Sequence, residues 1–182
     1  MRIRTLTFLT LSLLMVGCAA PARVDHMTLR THMPVVDQAS ALRNGILLEQ
    51  VTGGKATNPM WMSQVSNQDF HRALQISLER AGLLASAGSD GEFDLSANLD
   101  SLRQPLVGAS MTVSAKIHYT LTRKSDGNTV FERTIDLPYT AAFNAAFIGT
   151  ERVRIANEGA IRVNIEQLIS ELRKIDATQL TL

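Results

Sequence analysis

The residues of this sequence that could carry metal chemistry are methionines and histidines. Met60 and Met62 flank Trp61, and the upstream stretch of residues 26–33 holds two His-Met pairs, His26-Met27 and His32-Met33. Thioether and imidazole ligands suit Cu(I), so copper binding is one hypothesis. Methionine also fills gaps in hydrophobic cores, and tryptophan often anchors a loop or faces a membrane or a partner. Because these spacings fix no coordination geometry, we expect neither a bound metal nor a cofactor.

The signals for catalysis are weak. His32 and Asp37 have the H-x₄-D spacing of some acyltransferases, but the flanking residues supply no further motif. The stretch TGGKAT, residues 52–57, lacks the first glycine of a phosphate-binding loop and the hydroxyl residue after Lys55. Neither G-x-S-x-G nor H-E-x-x-H occurs. We therefore expect that the protein is not an enzyme.

The single cysteine, Cys18, directly follows an export-type segment. Arg2 and Arg4 precede an apolar run, residues 6–16, which is too short to span a hydrocarbon core of about 30 Å. A disulfide within the chain would need a second cysteine, so the fold has to be stable without one.

The residues Met15–Cys18, MVGC, resemble the lipobox of bacterial lipoproteins, with Met15 where leucine is usual. The resemblance implies that residues 1–17 are removed and that Cys18 becomes the acylated first residue. Two or more acyl chains hold a protein stably on a membrane. Ala19 stands where an aspartate would favour the inner membrane, which implies the outer membrane, with the protein facing the periplasm. The alternative is an ordinary signal peptide cleaved near AAPA, residues 19–22.

The charge balance argues against a nucleic-acid partner. Removing residues 1–17 takes Arg2 and Arg4 from 18 basic residues, which leaves the mature chain close to neutral against 17 acidic residues. A nucleic-acid-binding protein would be expected to carry a basic patch or stripe.

The remaining sequence predicts a tether followed by one domain. Residues 18–43 lack sustained periodicity and contain Pro21 and Pro34, which is typical of a flexible segment, although Val35-Val36 could form a short edge strand. Residues 44–182 have the length and patterning of a single domain.

Hydrophobic periodicity predicts the elements of that domain. A strand at residues 45–51 precedes an amphipathic helix that begins near Ser66 and ends at Gly82. Three alternating segments follow, with Asp126-Gly127 in a tight turn, and then a long helix from Thr150 to about Ile175. This order predicts an α+β two-layer sandwich: a small, mostly antiparallel sheet with two helices on one face.

The segment Tyr139–Thr150 is apolar and almost uncharged, and it allows two interpretations. Phe143, Phe147 and Ile148 could continue the last strand or cap the open end of the sheet. They could instead contact a lipidic ligand, the membrane or a partner, because exposed apolar patches usually mark such sites. With Trp61, they are the candidate binding residues.

The lipobox, the element order and the segment AAFIGTERVRIANEGAIRVNIEQLI resemble those of small envelope lipoproteins. These include the lipopolysaccharide-assembly lipoprotein and the auxiliary lipoproteins of ABC-type lipid transport systems. The resemblance implies a non-enzymatic accessory role, with the membrane and an envelope protein as partners; no individual residue role is transferred. The alternatives are binding of a hydrophobic small molecule such as a lipid, in a cavity lined by Phe93, Ile117 and Leu168, and, less favoured, binding of Cu(I).

Overall fold

The computed structural model describes residues 19–30 and 40–179 of the chain. Its elements are α1 (Val24–Met27), β1 (Ile46–Thr52), α2 (Asn67–Arg80), β2 (Phe93–Arg103), β3 (Met111–Arg123), β4 (Thr129–Ala141), a 3₁₀ turn (Phe143–Ala145) and α3 (Gly149–Gln179).

The four strands form one sheet in the order β1-β2-β3-β4. β1 is parallel to β2, whereas the β2–β3 and β3–β4 pairs are antiparallel. α3 packs across β3 and β4, and α2 lies beside β1. The alternation in β3 places Val113, Ala115, Ile117 and Tyr119 in the core, while the residues between them face the open side. The predicted α+β class is confirmed.

Local signals define α2 at both ends. The Ser66 hydroxyl accepts a hydrogen bond from the Asp69 backbone N–H at 3.0 Å, as an N-cap does. Gly82 follows the helix with φ of 73°, a conformation that glycine adopts without the Cβ clash of other residues. Leu83 is then buried, and its N–H donates to the carbonyl of Leu78.

A buried amide fastens α3 to the sheet. The side-chain N–H groups of Asn164 donate to the carbonyls of Ala115 (3.0 Å) and Ile135 (2.9 Å). Its Oδ1 accepts from the Tyr119 hydroxyl at 2.9 Å. Since Asn164 and Tyr119 are both fully buried, these bonds satisfy polar groups that water does not reach.

Alkaline pH is expected to destabilise the protein through Tyr119. Burial raises the pKa of its hydroxyl well above the ordinary value. In the unfolded chain the hydroxyl ionises at about pH 10. The contribution of the neutral Tyr119 hydroxyl to the free energy of unfolding is therefore fully present below that pH. It is lost as the pH rises towards the pKa of the folded state. The urea midpoint, measured from pH 8 to the alkaline limit, should fall less steeply in Tyr119→Phe than in the wild type.

Tyr139→Phe is the matched control, because it removes the hydroxyl of the chain's other tyrosine from a half-buried position. Equal flattening of the pH profile in both variants would show that Tyr119 is not the responsible group.

Residues 19–30 belong to the folded body and do not form the free tether that the sequence suggested. Met27 and Leu29 are buried, and the Leu29 N–H donates to the buried Ser77 hydroxyl on α2 at 3.0 Å. Arg162 on α3 donates to the carbonyl of His26 at 3.0 Å. The apolar side chains thus cover a junction between α2 and α3. Residues 31–39, with the suggested strand at Val35-Val36, lie outside the described part of the chain.

Candidate functional site at the apolar end

Three connecting segments meet at one end of the sheet. They are residues 53–66 between β1 and α2, residues 104–110 between β2 and β3, and residues 142–148 between β4 and α3. Their exposed large hydrophobic side chains, here called the apolar end, are Met60, Trp61, Leu106, Val107, Phe143, Phe147 and Ile148.

Phe143 and Phe147 were predicted either to pack on the sheet or to form an exposed contact surface, and the structure shows that both are exposed. Phe147 is fully exposed and Phe143 is 65% exposed, so neither ring continues the core or caps the sheet. Trp61 is 71% exposed. Their role in binding stays a prediction, but the surface that the prediction needs is present.

A buried arginine positions the segment that carries the phenylalanines. The Nη1 group of Arg152 donates to the carbonyls of Ala146 (2.8 Å) and Phe147 (3.1 Å). Its guanidinium carbon also lies 5.2 Å from the centre of the Phe143 ring, within cation–π range. These contacts hold the backbone of residues 146 and 147 to α3, and the Phe147 side chain is exposed to solvent. Arg152 was not among the predicted site residues, since nothing in the local sequence indicates where its side chain goes.

A cleft of about 420 Å³ opens beside these residues. Its lining is mostly apolar and consists of Trp61, Met62, Ser63, Pro105, Leu106, Met111, Ile148, Gly149, Thr150 and Val153. The Ser63 hydroxyl is buried and has no hydrogen-bond partner among the described residues. The size and lining suit a small apolar ligand with a polar group. Phe93, Ile117 and Leu168, which the lipid-binding hypothesis placed around a cavity, are packed in the core instead.

The N-terminal segment runs along the loop of residues 53–66. The Ala19 N–H donates to the carbonyl of Pro59 at 2.8 Å, and the Ala22 N–H donates to that of Gln64 at 3.3 Å. Ala19 is itself buried. The chain therefore enters the described domain directly beside Met60 and Trp61.

A charged cluster fastens this segment to α3. The Glu158 carboxylate, only 1% exposed, accepts from the Arg154 side chain (2.5 Å) and from the Arg23 backbone N–H (2.9 Å). His26 Nδ1 lies 2.9 Å from the other carboxylate oxygen of Glu158. Arg154 also bonds to Glu151, which lowers the pKa of that carboxyl and raises the pKa of Arg154. The cluster satisfies a buried carboxylate and holds the segment in place.

The structure separates several residues that the metal hypothesis grouped. Met27 is in the core, His26 is bonded to Glu158, and Met60 projects into solvent. His32, Met33, Asp37 and Cys18 lie outside the described residues. Within residues 19–30 and 40–179, no group of three His, Cys, Asp or Glu side chains is arranged to hold a metal ion. Likewise, none of the described helices is both long and apolar enough to cross a membrane.

Comparison with known proteins identifies similar folds but no family. No family model matches the chain, and no curated protein matches it. A protein of the DUF330 family from Xanthomonas campestris has 14% sequence identity and a TM-score of 0.59, covering 84% of this chain and 97% of its own. A candidate lipoprotein from Caulobacter crescentus CB15 has 12% identity and a TM-score of 0.56, covering 80% and 100%. At these identities the comparisons show a shared fold.

Proposed function

We propose that this protein is a lipoprotein of the bacterial outer membrane, anchored through Cys18 and facing the periplasm, which works by binding and not by catalysis. The observation that carries the proposal is the apolar end. Large hydrophobic side chains exposed together usually mark a contact surface, because leaving them in water is unfavourable. Its segments 56–66, 104–110 and 142–148 contain no charged residue, which fits contact with a hydrophobic component of the envelope.

The anchor and the domain supply complementary parts of this function. Acylation of Cys18 would hold the domain at the membrane and raise its effective concentration for any partner there. The lipobox resemblance supports the anchor, and the fold shared with a candidate lipoprotein is compatible with it. An accessory role in envelope biogenesis or lipid transport, with an envelope protein as partner, follows from the resemblance of the element order.

The double variant Phe143→Ser/Phe147→Ser tests the proposal. Since both rings are exposed, the free energy of unfolding should change by less than about 1 kcal/mol. Crosslinking of the full-length lipoprotein in cells, followed by purification and mass spectrometry, should recover the wild type with envelope components that the variant loses.

The matched control is Ser125→Ala/Thr129→Ser, two exposed positions around the β3–β4 turn at the other end of the sheet. It should keep the wild-type crosslinks. A large loss of stability in the phenylalanine variant would show that the rings support the fold. Unchanged stability together with unchanged crosslinks would show that the apolar end is not the contact site.

The cleft supports a second function, the binding of a hydrophobic small molecule such as a lipid. The unpartnered Ser63 hydroxyl favours it, because a buried hydroxyl gains from a ligand atom that accepts or donates a hydrogen bond. Solvent extraction of the purified protein should then release a non-covalent lipid detectable by mass spectrometry. Ile148→Trp, which adds bulk to the cleft lining, should reduce the recovered amount, and absence of any lipid from the wild type would count against this function.

A further inference from the structure

We infer that the apolar end rests on the membrane that carries the anchor, so that the lipid bilayer covers its exposed hydrophobic side chains. This inference rests on the proposed acylation of Cys18. It goes beyond the proposed function in two respects. It gives the orientation of the domain on the membrane, and it identifies the surface that the apolar end contacts as a phospholipid interface.

The attachment point lies at the apolar end itself. Ala19 is buried, with its N–H bonded to the carbonyl of Pro59. Ala19 directly follows Cys18 in the sequence, so an anchor on Cys18 would be attached to the domain at this point. Acyl chains on Cys18 would therefore enter the bilayer beside Met60 and Trp61, which are both exposed.

The segment after the anchor cannot act as a spacer. Its backbone is bonded to Gln64 through Ala22, to Glu158 through Arg23 and to Ser77 through Leu29. These partners lie on the 53–66 loop, on α3 and on α2 respectively. Because the segment is fixed to three parts of the domain, the domain cannot swing away from the membrane around it.

The chemistry of the apolar end suits a bilayer surface. Its side chains combine tryptophan, which favours the boundary between headgroups and acyl chains, with phenylalanine, leucine, isoleucine and methionine. Apart from Lys55 at the start of the first loop, its three segments carry no charge, whereas the β3–β4 turn at the other end contains Arg123, Lys124 and Asp126. An uncharged surface does not need anionic lipids, so contact should be insensitive to salt and to lipid charge.

Contact of the apolar end with the membrane determines how the sheet is oriented relative to the bilayer. β3 runs from Met111, in the cleft at the apolar end, to Arg123 beside the β3–β4 turn. A strand of this length spans about 40 Å, so the turn would project that far into the periplasm. The polar side of the sheet and the edge strand β4 would remain free of the membrane and accessible to a protein partner.

Trp61 provides a direct test, because it is the only tryptophan of the chain. The full-length lipidated protein is reconstituted into phosphatidylcholine vesicles, with and without bromine on the acyl chains, and flotation verifies that it is anchored. Brominated lipid should quench most of the Trp61 emission, and the quenching should persist at high salt. In the control Trp61→Phe/Ser125→Trp, the only tryptophan sits at the β3–β4 turn and should not be quenched.

The outcomes separate this inference from the proposed function. Protein that floats with the vesicles while its Trp61 emission is unaffected by bromine would show that the apolar end does not contact the bilayer. The proposed anchor would still stand. Protein that does not float would overturn both. Trp61 emission shifted to shorter wavelength without bromine quenching, together with crosslinks between copies, would show that a second copy covers the apolar end and would overturn the inference.

Discussion

Replacing Cys18 by alanine is expected to abolish acylation and to remove the protein from the outer membrane. Under the proposed function the acyl chains on Cys18 hold the protein on the membrane, since two or more such chains give stable attachment. Cells expressing the wild type should incorporate labelled palmitate into the immunoprecipitated protein, and Cys18→Ala should incorporate none. Fractionation should move the variant out of the outer-membrane fraction completely.

Gly17→Ala is the control, because it keeps a small residue before the cysteine, as the lipobox resemblance requires. This variant should be labelled and fractionated like the wild type. Wild-type protein without label, or with an N-terminus cleaved near residues 19–22, would favour an ordinary exported protein and contradict the anchor.

The second large effect is expected at Glu158. Glu158→Gln removes the negative charge that faces the Arg154 guanidinium, which is itself nearly buried. Removing one partner of a buried ion pair costs up to about 3–5 kcal/mol, and we expect a loss near the lower end of this range because Glu151 still pairs with Arg154. Urea unfolding should show a loss of this size. Trypsin should also cleave at Arg23 and Arg30 faster than in the wild type, because the N-terminal segment loses its fastening.

Glu151→Gln is the matched control on the same helix. Glu151 also pairs with Arg154, but 38% of its side chain is exposed, so solvent screens the interaction. Its loss should cost less than about 1 kcal/mol. An equal cost for both variants would show that burial of Glu158 is not what makes its contacts strong.

Glu158→Gln also tests whether the fastening of residues 19–30 keeps the apolar end on the membrane. If the segment of residues 19–30 detaches while the rest of the domain stays folded, the released residues become a flexible spacer behind the anchor. Trp61 in the lipidated variant should then be quenched less by brominated lipid than Trp61 in the wild type. Equal quenching would mean that the apolar end stays on the membrane by its own affinity.

The sequence by itself determined the elements whose signals are local. Ser66 and Gly82 mark the ends of α2 because an N-cap hydroxyl and a positive-φ glycine act on neighbouring backbone groups. Asp126-Gly127 predicted the β3–β4 turn for the same reason, and Gly127 has φ of 70°. The apolar stripe of α3 and the alternation in β3 predicted their buried faces, since one side of each element has to leave water. The α+β class followed from the order of these elements.

Only the tertiary structure decided the surface on which the proposed function depends. Residues 19–30 have no periodicity, because their one helix has four residues, and their partners on α3 lie more than 100 positions away. The exposure of Phe143 and Phe147 was equally undetermined, because an apolar run after a strand can be either core or surface. Their placement depends on Arg152, whose side chain holds the carbonyls of Ala146 and Phe147. The apolar end forms because folding brings three loops and the start of the domain close together. These segments are far apart in the sequence, so no local pattern predicts their contact.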